Sequence, residues 1–484
     1  MAEESLKQKT ARGLFWGLVN NGTMQFLNLL FGICLGRLLG PDDYGMVGML
    51  TIFSLIAGSL QESGFTAALA NKKDIRHDDY NAVFWFSASV SFLLYWILFF
   101  CAPLIADFYH QPELVSLGRY SFLGFFISSL GIAPAAYVFR NLLVKQKAIA
   151  TALGLIVSGI IGITLAYCGF SYWGLATQSL IYVAVLNLYL WIVCPWRPTF
   201  TFNFRPIREM FGFSSKLLLT NIFDHINNNL FSIVLGKFYS EREVGNYNQA
   251  NKWNNMGAST ISGMVANVAQ PIFAQIADDK ERQVRAFRKM LRFTSFIAFP
   301  AMFGLAFVAP ELIVITITER WLESAYVLQI LAIGGAFQPI MKLYANLLVS
   351  RGKSNFFLLN TVALGFVQLL IMLFSYPLGI RMMVLLYVCV NILWLVFWHI
   401  FAYREIHICL RSVIKDILPF VCIAAGVIGI VFLFTQNITN IYYRIIAKVF
   451  FTAILYIFLM WLIGSTTFRE SFEFVKNKLN LPRL

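Results

Sequence analysis

Asp224 and His225 are adjacent ionisable residues deep in an otherwise apolar stretch, within a cluster completed by Asn221, Asn227, Asn228 and Asn229. A second polar set, Asn20, Asn21, Gln25 and Asn28, lies near the N-terminus, and Glu62, Lys252 and Lys342 are isolated charges in apolar surroundings. Residues of these types bind by hydrogen bonding and charge, and a buried aspartate with a raised pKa exchanges protons with an ion gradient. A charge at mid-membrane costs roughly 2.5–3.5 kcal/mol even on permissive scales, so such polar density points to a water-lined cavity rather than a lipid face. The competing role is hydrogen bonding between helices, worth less than about 2 kcal/mol per pair. Asp224 is the candidate for coupling to protons or sodium, the alternative being a pair with a nearby cation or polar helix. Lys252 and Lys342 lead the anion-binding candidates, followed by Arg140, Arg37 and Lys237. The last two are equally suited to cap helix C-termini.

Signs of catalysis are missing. Gly352-Lys353-Ser354 resembles the end of a phosphate-binding loop, but Leu347 stands where its first glycine belongs. The five histidines form no metal-binding spacing, and G-x-S-x-G and H-E-x-x-H are absent. The seven cysteines are scattered and read as small packing residues. No metal or cofactor is expected, nor an enzyme; energy for transport would come from a gradient.

The elements that must hold these residues are membrane helices. The chain has 484 residues, 58% apolar and 13% charged, and apolar runs of about 20 residues recur throughout. Fourteen are delimited: 13–36, 45–69, 81–105, 118–139, 148–168, 172–194, 217–236, 246–272, 292–315, 325–349, 355–376, 382–402, 417–435 and 445–464. Of the 38 Lys and Arg residues, 28 fall in segments that share a side if the N-terminus is cytoplasmic. The positive-inside rule therefore puts both termini in the cytoplasm. The net charge of +14 is then mainly a topology signal, and no folded basic domain suggests a nucleic-acid partner. The first apolar run is too long and too polar for a cleaved signal peptide. Two basic amphipathic flanks, one with Val284, Phe287, Met290 and Leu291 and one with Phe468, Phe472, Val475 and Leu479, are expected on the cytoplasmic lipid surface.

An internal repeat organises the helices. Residues 21–45 and 221–245 align without a gap, with eight identities in 25 positions, including Asn28/Asn228, Gly36/Gly236 and Gly45/Gly245. Tyr182-Val183-x-Val185 matches Tyr387-Val388-x-Val390 further along. Six helices per repeat means that both copies enter the membrane from the same side, the parallel type whose substrate site lies between the halves. The expected organisation is a cytoplasmic N-terminus (1–12), an N-lobe (13–194), a linker (195–216) and a C-lobe (217–402). A loop (403–416), two appended helices (417–464) and an amphipathic tail (465–484) complete it.

The turn Arg37-Leu38-Leu39-Gly40-Pro41-Asp42-Asp43-Tyr44-Gly45 resembles the R-L-L-G-P-x-[DE]-[YF]-G signature of polysaccharide exporters. These belong to the multidrug/oligosaccharidyl-lipid/polysaccharide (MOP) flippase superfamily. Gly40-Pro41 would break the helix, the acidic pair cap the next, and Gly45 allow close packing. The second copy lacks Gly-Pro, so its turn is expected to differ in shape. Gly245-Asn246-Tyr247-Asn248-Gln249-Ala250 is similar to the family's G-x-Y-x-x-A element, and Trp321-Leu322-Glu323-Ser324-Ala325 to its W-x-x-A segment with the alanine one place late. The resemblance implies an all-α polytopic fold of about 14 transmembrane helices, like those of the multidrug antiporters and the lipid II flippases. It also implies a bacterial inner-membrane flippase that carries undecaprenyl-pyrophosphate-linked oligosaccharide for O-antigen, capsule or exopolysaccharide synthesis. A polysaccharide polymerase would be a partner, and a proton or sodium ion a counter-ion. Multidrug antiport and lipid II transport are the alternatives within the superfamily. A polymerase is disfavoured for want of a large extracytoplasmic loop.

Overall fold

In the computed structural model all regular structure among the described residues is helical; these are 6–470 except 63, 64, 73, 202, 204 and 277, together with 473. Each apolar segment falls on a helix. In chain order they are α1 (Leu6–Leu38), α2 (Pro41–Glu62), α3 (His77–Tyr109), α4 (Leu114–Ser129, bent by 43° into Ile132–Arg140) and α5 (Val144–Tyr167). Next come α6 (Tyr172–Val193), α7 (Arg205–Phe238), α8 (Glu241–Gln275), α9 (Lys280–Ile317) and α10 (Glu319–Ser350). Last are α11 (Ser354–Ser375), α12 (Ile380–Ile406), α13 (Leu410–Thr435) and α14 (Ile441–Leu462). Among the described residues ten helices are long and apolar enough to cross a membrane, and the bent α4 makes eleven. The other three, α1, α7 and α8, are as long but carry the polar clusters. Exposed Phe100, Phe434 and Phe450 give the apolar spans the surface that lipid, not water, solvates.

The chain divides into two compact units, Met1–Gly245 and Asn246–Leu484. In the first, α7 packs against α2, α3 and the short helix Phe65–Asn71. Phe31 of α1 lies on Gly159 of α5 so closely that a Cβ there would meet the ring at 2.6 Å. Phe84, Trp191 and Trp196 meet edge-on or tilted around a core that includes Phe65, Leu69 and Val83. Lipid supplies no hydrophobic drive between helices, so this close packing is what associates them.

In the second unit α9 is the hub, packed against α10, α13 and α14. Its first turns are not a flank on the lipid surface as the amphipathic pattern suggested. Phe287 and Leu291 are fully buried, Phe287 against Phe273 and Tyr344 with ring centroids 6.1 and 4.9 Å away. The apolar face of that segment has a protein partner, which competes with lipid for it. Of the C-terminal flank, Phe468 meets Phe296, and Phe472, Val475 and Leu479 lie outside the described residues.

Two charge clusters, each centred on a buried carboxylate, join distant helices of this unit. Asp416 of α13 receives Arg288 at 2.6 Å and Arg292 at 3.2 Å, both from α9. Glu311 of α9 receives Lys448 of α14 at 2.6 Å, and Lys448 also donates to the Phe307 carbonyl at 3.2 Å. Arg444 is the only other cation on Glu311 among the described residues, at 3.8 Å, so removing Lys448 leaves this buried carboxylate largely uncompensated, at up to about 3–5 kcal/mol. Lys448→Met should therefore lower the melting temperature of the detergent-purified protein markedly. The double variant Lys448→Met/Glu311→Met should recover most of the loss; failure to recover would show that the pair is not the cause.

Candidate functional site

The two repeat turns have the same limits. α1 ends at Leu38 and α2 begins at Pro41; α7 ends at Phe238 and α8 begins at Glu241, all offset by 200. Leu39 N–H donates to Leu35 O at 2.8 Å, and Tyr239 N–H to Leu235 O at 2.9 Å. The expected difference in shape is therefore absent. Gly40 is not among the positive-φ glycines, so Ser240 takes the same conformation without strain. Pro41 and Glu241 both suit the first turn of a helix, one by its fixed φ and the other by its charge. Asp43 acts as the sequence implied, its Oδ2 accepting from Gly40 N–H at 2.9 Å and its Oδ1 from the Ser171 hydroxyl.

The equivalent glycines of the turns meet. A Cβ on Gly45 would stand 1.7 Å from the carbonyl oxygen of Glu241, and one on Gly245 would stand 1.9 Å from that of Pro41. No side chain fits at either position. The end of α3 braces the same contact: Gln111 Nε2 donates to Glu241 at 2.6 Å, and Lys237 Nζ donates to Phe108 O at 2.9 Å. The Lys237 ammonium also lies 4.8 Å from the Phe108 ring centroid.

Three of the cationic candidates are therefore engaged. Lys237 braces the turn, Arg140 donates to the carbonyls of Leu69 and Lys72 at the end of a short helix, and Arg37, though exposed, has an interaction partner. Lys252 on α8 and Lys342 on α10 are different: both are exposed and neither has a hydrogen-bond or ion-pair partner among the described residues. Lys342 lies within an apolar span, in the half of α10 that restarts at Gln338 with Pro339 in its first turn. A bare ammonium there calls for water or an anion. Lys252 continues along α8 into Asn255 and Ser259, which are also exposed.

On α7, Asn221, Asp224, His225 and Asn228 are spaced i, i+3, i+4 and i+7, so they share one face. Asn221 and Asn228 are exposed, Asp224 and His225 half-buried, and the His225 carbonyl accepts from Asn229 Nδ2 at 2.9 Å. Asp224 has an interaction partner. Gln25 and Asn28 of α1 are exposed one turn apart, whereas the side chain of Asn21 is outside the described residues. Glu62 is exposed at the end of α2 remote from the turn. The first unit thus presents polar faces on α1 and α7, and the second presents cations on α8 and α10.

Comparison with known proteins gives this architecture its class. The fold matches that of a lipid II flippase MurJ in an inward closed conformation, with a TM-score of 0.74 at 13% identity over 93% of this chain and 99% of that one. It also matches an inward-facing multidrug resistance transporter of the MATE family, with a TM-score of 0.58 at 17% identity over 83% and 95%. The chain thus shares its fold with both of these proteins. In sequence, residues 34–326, more than half of the chain, match the polysaccharide biosynthesis protein family, and the chain belongs to that family. Relatives include an uncharacterized membrane protein in the cps region of Klebsiella pneumoniae, 27% identical over 76% of both chains. The lipopolysaccharide biosynthesis protein WzxC of Escherichia coli is 23% identical over 72% of this chain and 71% of its own.

Proposed function

We propose that this protein is a flippase that moves an undecaprenyl-pyrophosphate-linked oligosaccharide from the inner to the outer leaflet of a bacterial cytoplasmic membrane. The two repeats, 13–194 and 217–402, work by alternating access. The observation that carries the reading is the reciprocal contact of Gly45 and Gly245. On the orientation set by the basic residues, both termini are cytoplasmic and the two turns lie at the extracytoplasmic end. Their contact then closes the outer side. Lys252 and Lys342, without partners among the described residues, suit a pyrophosphate head, and the amides on α1 and α7 suit sugar hydroxyls. Where the cell interior is negative, moving a negative head outward is favoured by about 2.3 kcal/mol per charge per 100 mV, so potential alone biases export.

Deleting the gene should make the lipid-linked oligosaccharide accumulate in the cytoplasmic leaflet, detected by its protection from an external glycan label. Normal external labelling in the deletion strain would sink the proposal. Coupling to protons through Asp224 is a separate element of the reading. Asp224→Asn should then flatten the pH dependence of transport in proteoliposomes; an unchanged rate and pH profile would remove Asp224 from that role.

A further inference from the structure

The first unit contains a cavity of about 320 Å³ between α2, α4 and α6 that the flippase reading does not use. Its wall is mostly apolar; the polar part comes from Thr51, Ser54, Gln61, Ser121, Ser128 and Ser179, and no charged side chain reaches it. Gln61 is only 3% exposed; its Oε1 accepts from the Ser91 hydroxyl at 2.7 Å, while its Nε2 has no partner among the described residues. The hydroxyls of Ser54, Ser121 and Ser128 are also unpartnered there, that of Ser121 being fully buried. Thr51 and Ser179 donate to their own helices, to Val47 O and Leu175 O, which leaves their oxygens as acceptors. The ring of Phe125 forms part of the wall, and Gly58 opens onto empty space, with no atom within 4 Å of where its Cβ would be.

We infer that this cavity binds a neutral sugar residue. It offers one amide donor, two hydroxyls that both donate and accept (Ser54 and Ser128), and two acceptors, spread over the walls. A polyol matches that mixture because each of its own hydroxyls donates and accepts. A metal cation does not, because it needs six or more oxygens converging on one point and no N–H donor. An anion finds no counter-charge, and the apolar part of the wall, with Leu50, Leu55, Leu180 and Val183, suits the C–H face of a sugar ring. The volume is at the low end of small-molecule sites, roughly 300–1,000 Å³, which suits one sugar ring rather than a whole repeat unit.

The inference rests on the proposed transport role only for which glycan meets the cavity, and the two fail separately. The test uses the full-length protein in nanodiscs and saturation-transfer NMR with methyl glycosides of neutral hexoses, N-acetylhexosamines and uronic acids. At least one neutral glycoside should bind. Gln61→Leu should weaken it about tenfold, the effect of one lost hydrogen bond. Gly58→Leu should abolish it with an unchanged melting temperature, because the new side chain enters open space. Ser128→Ala is a second, minimal change and should also weaken binding. Absence of binding by every neutral glycoside, binding by uronates alone, or binding that survives Gly58→Leu would each overturn the assignment. A deletion strain that exports glycan normally would overturn the transport role and leave this site standing.

Discussion

Gly45→Val should abolish export while the protein still reaches the membrane. Even the first carbon of the new side chain has nowhere to go, since Glu241 O is 1.7 Å from its position and Glu241 C is 2.4 Å away. The obstacle is backbone, not the end of a flexible side chain, so the two turns must separate. Overpacking of this kind costs about 1–3 kcal/mol or more. As a shift between two conformations, that is roughly 5–150-fold against the one in which the turns touch. A transporter that must close at this end in every cycle would stall with it open. The measurement pairs a transport assay with cross-linking of cysteines placed at the exposed Asp42 and Arg242 in a cysteine-free background. Cross-linking should fall in the Gly45→Val protein together with export. Wild-type values for both would mean that the contact is not a gate.

The second large effect is expected at Lys342 and Lys252. Lys342→Ala should reduce export about 10–100-fold, as expected for loss of a hydrogen bond to a charged group worth about 1.5–3 kcal/mol. Lys342→Glu should leave no measurable export, because attraction becomes repulsion. Stability should change little, since Lys342 has no partner among the described residues to strand. Lys252→Ala should act in the same direction. The contrast with Lys448 makes the prediction specific: there, substitution damages folding first. A Lys342→Glu protein that exports normally, or one that loses export only by failing to fold, would exclude Lys342 from substrate binding.

Hydropathy alone reveals most helices of this fold, α1, α7 and α8 excepted, because a membrane span is a local property of about twenty consecutive residues. The long-range pairs are another matter. Glu311 and Lys448 are 137 residues apart, and in sequence each is one more charge near an apolar run. Only packing of α14 on α9 brings them together. Arg288 and Asp416, 128 apart, were hidden for the same reason. Lys342 was legible because a cation in an apolar helix is conspicuous anywhere. The hydroxyl-lined cavity was not, because its serines are dispersed over three helices and each looks like an ordinary small packing residue. The turn of the second repeat misled through its residue types: Ser240-Glu241 looks unlike Gly40-Pro41, yet the backbone needs neither glycine's freedom nor proline's rigidity there.

The contact between the turns has a symmetry of its own. Gly45 meets position 241 and Gly245 meets position 41, so each copy offers the other the same patch, as the two subunits of an isologous dimer do. A pseudo-two-fold axis therefore passes between the glycines, and they are not two independent probes of the protein. Once Gly45→Ala has pushed the turns apart, the space that Gly245→Ala requires already exists. The double variant should be less impaired than the product of the two single effects predicts, the non-additivity expected of residues that share one displacement.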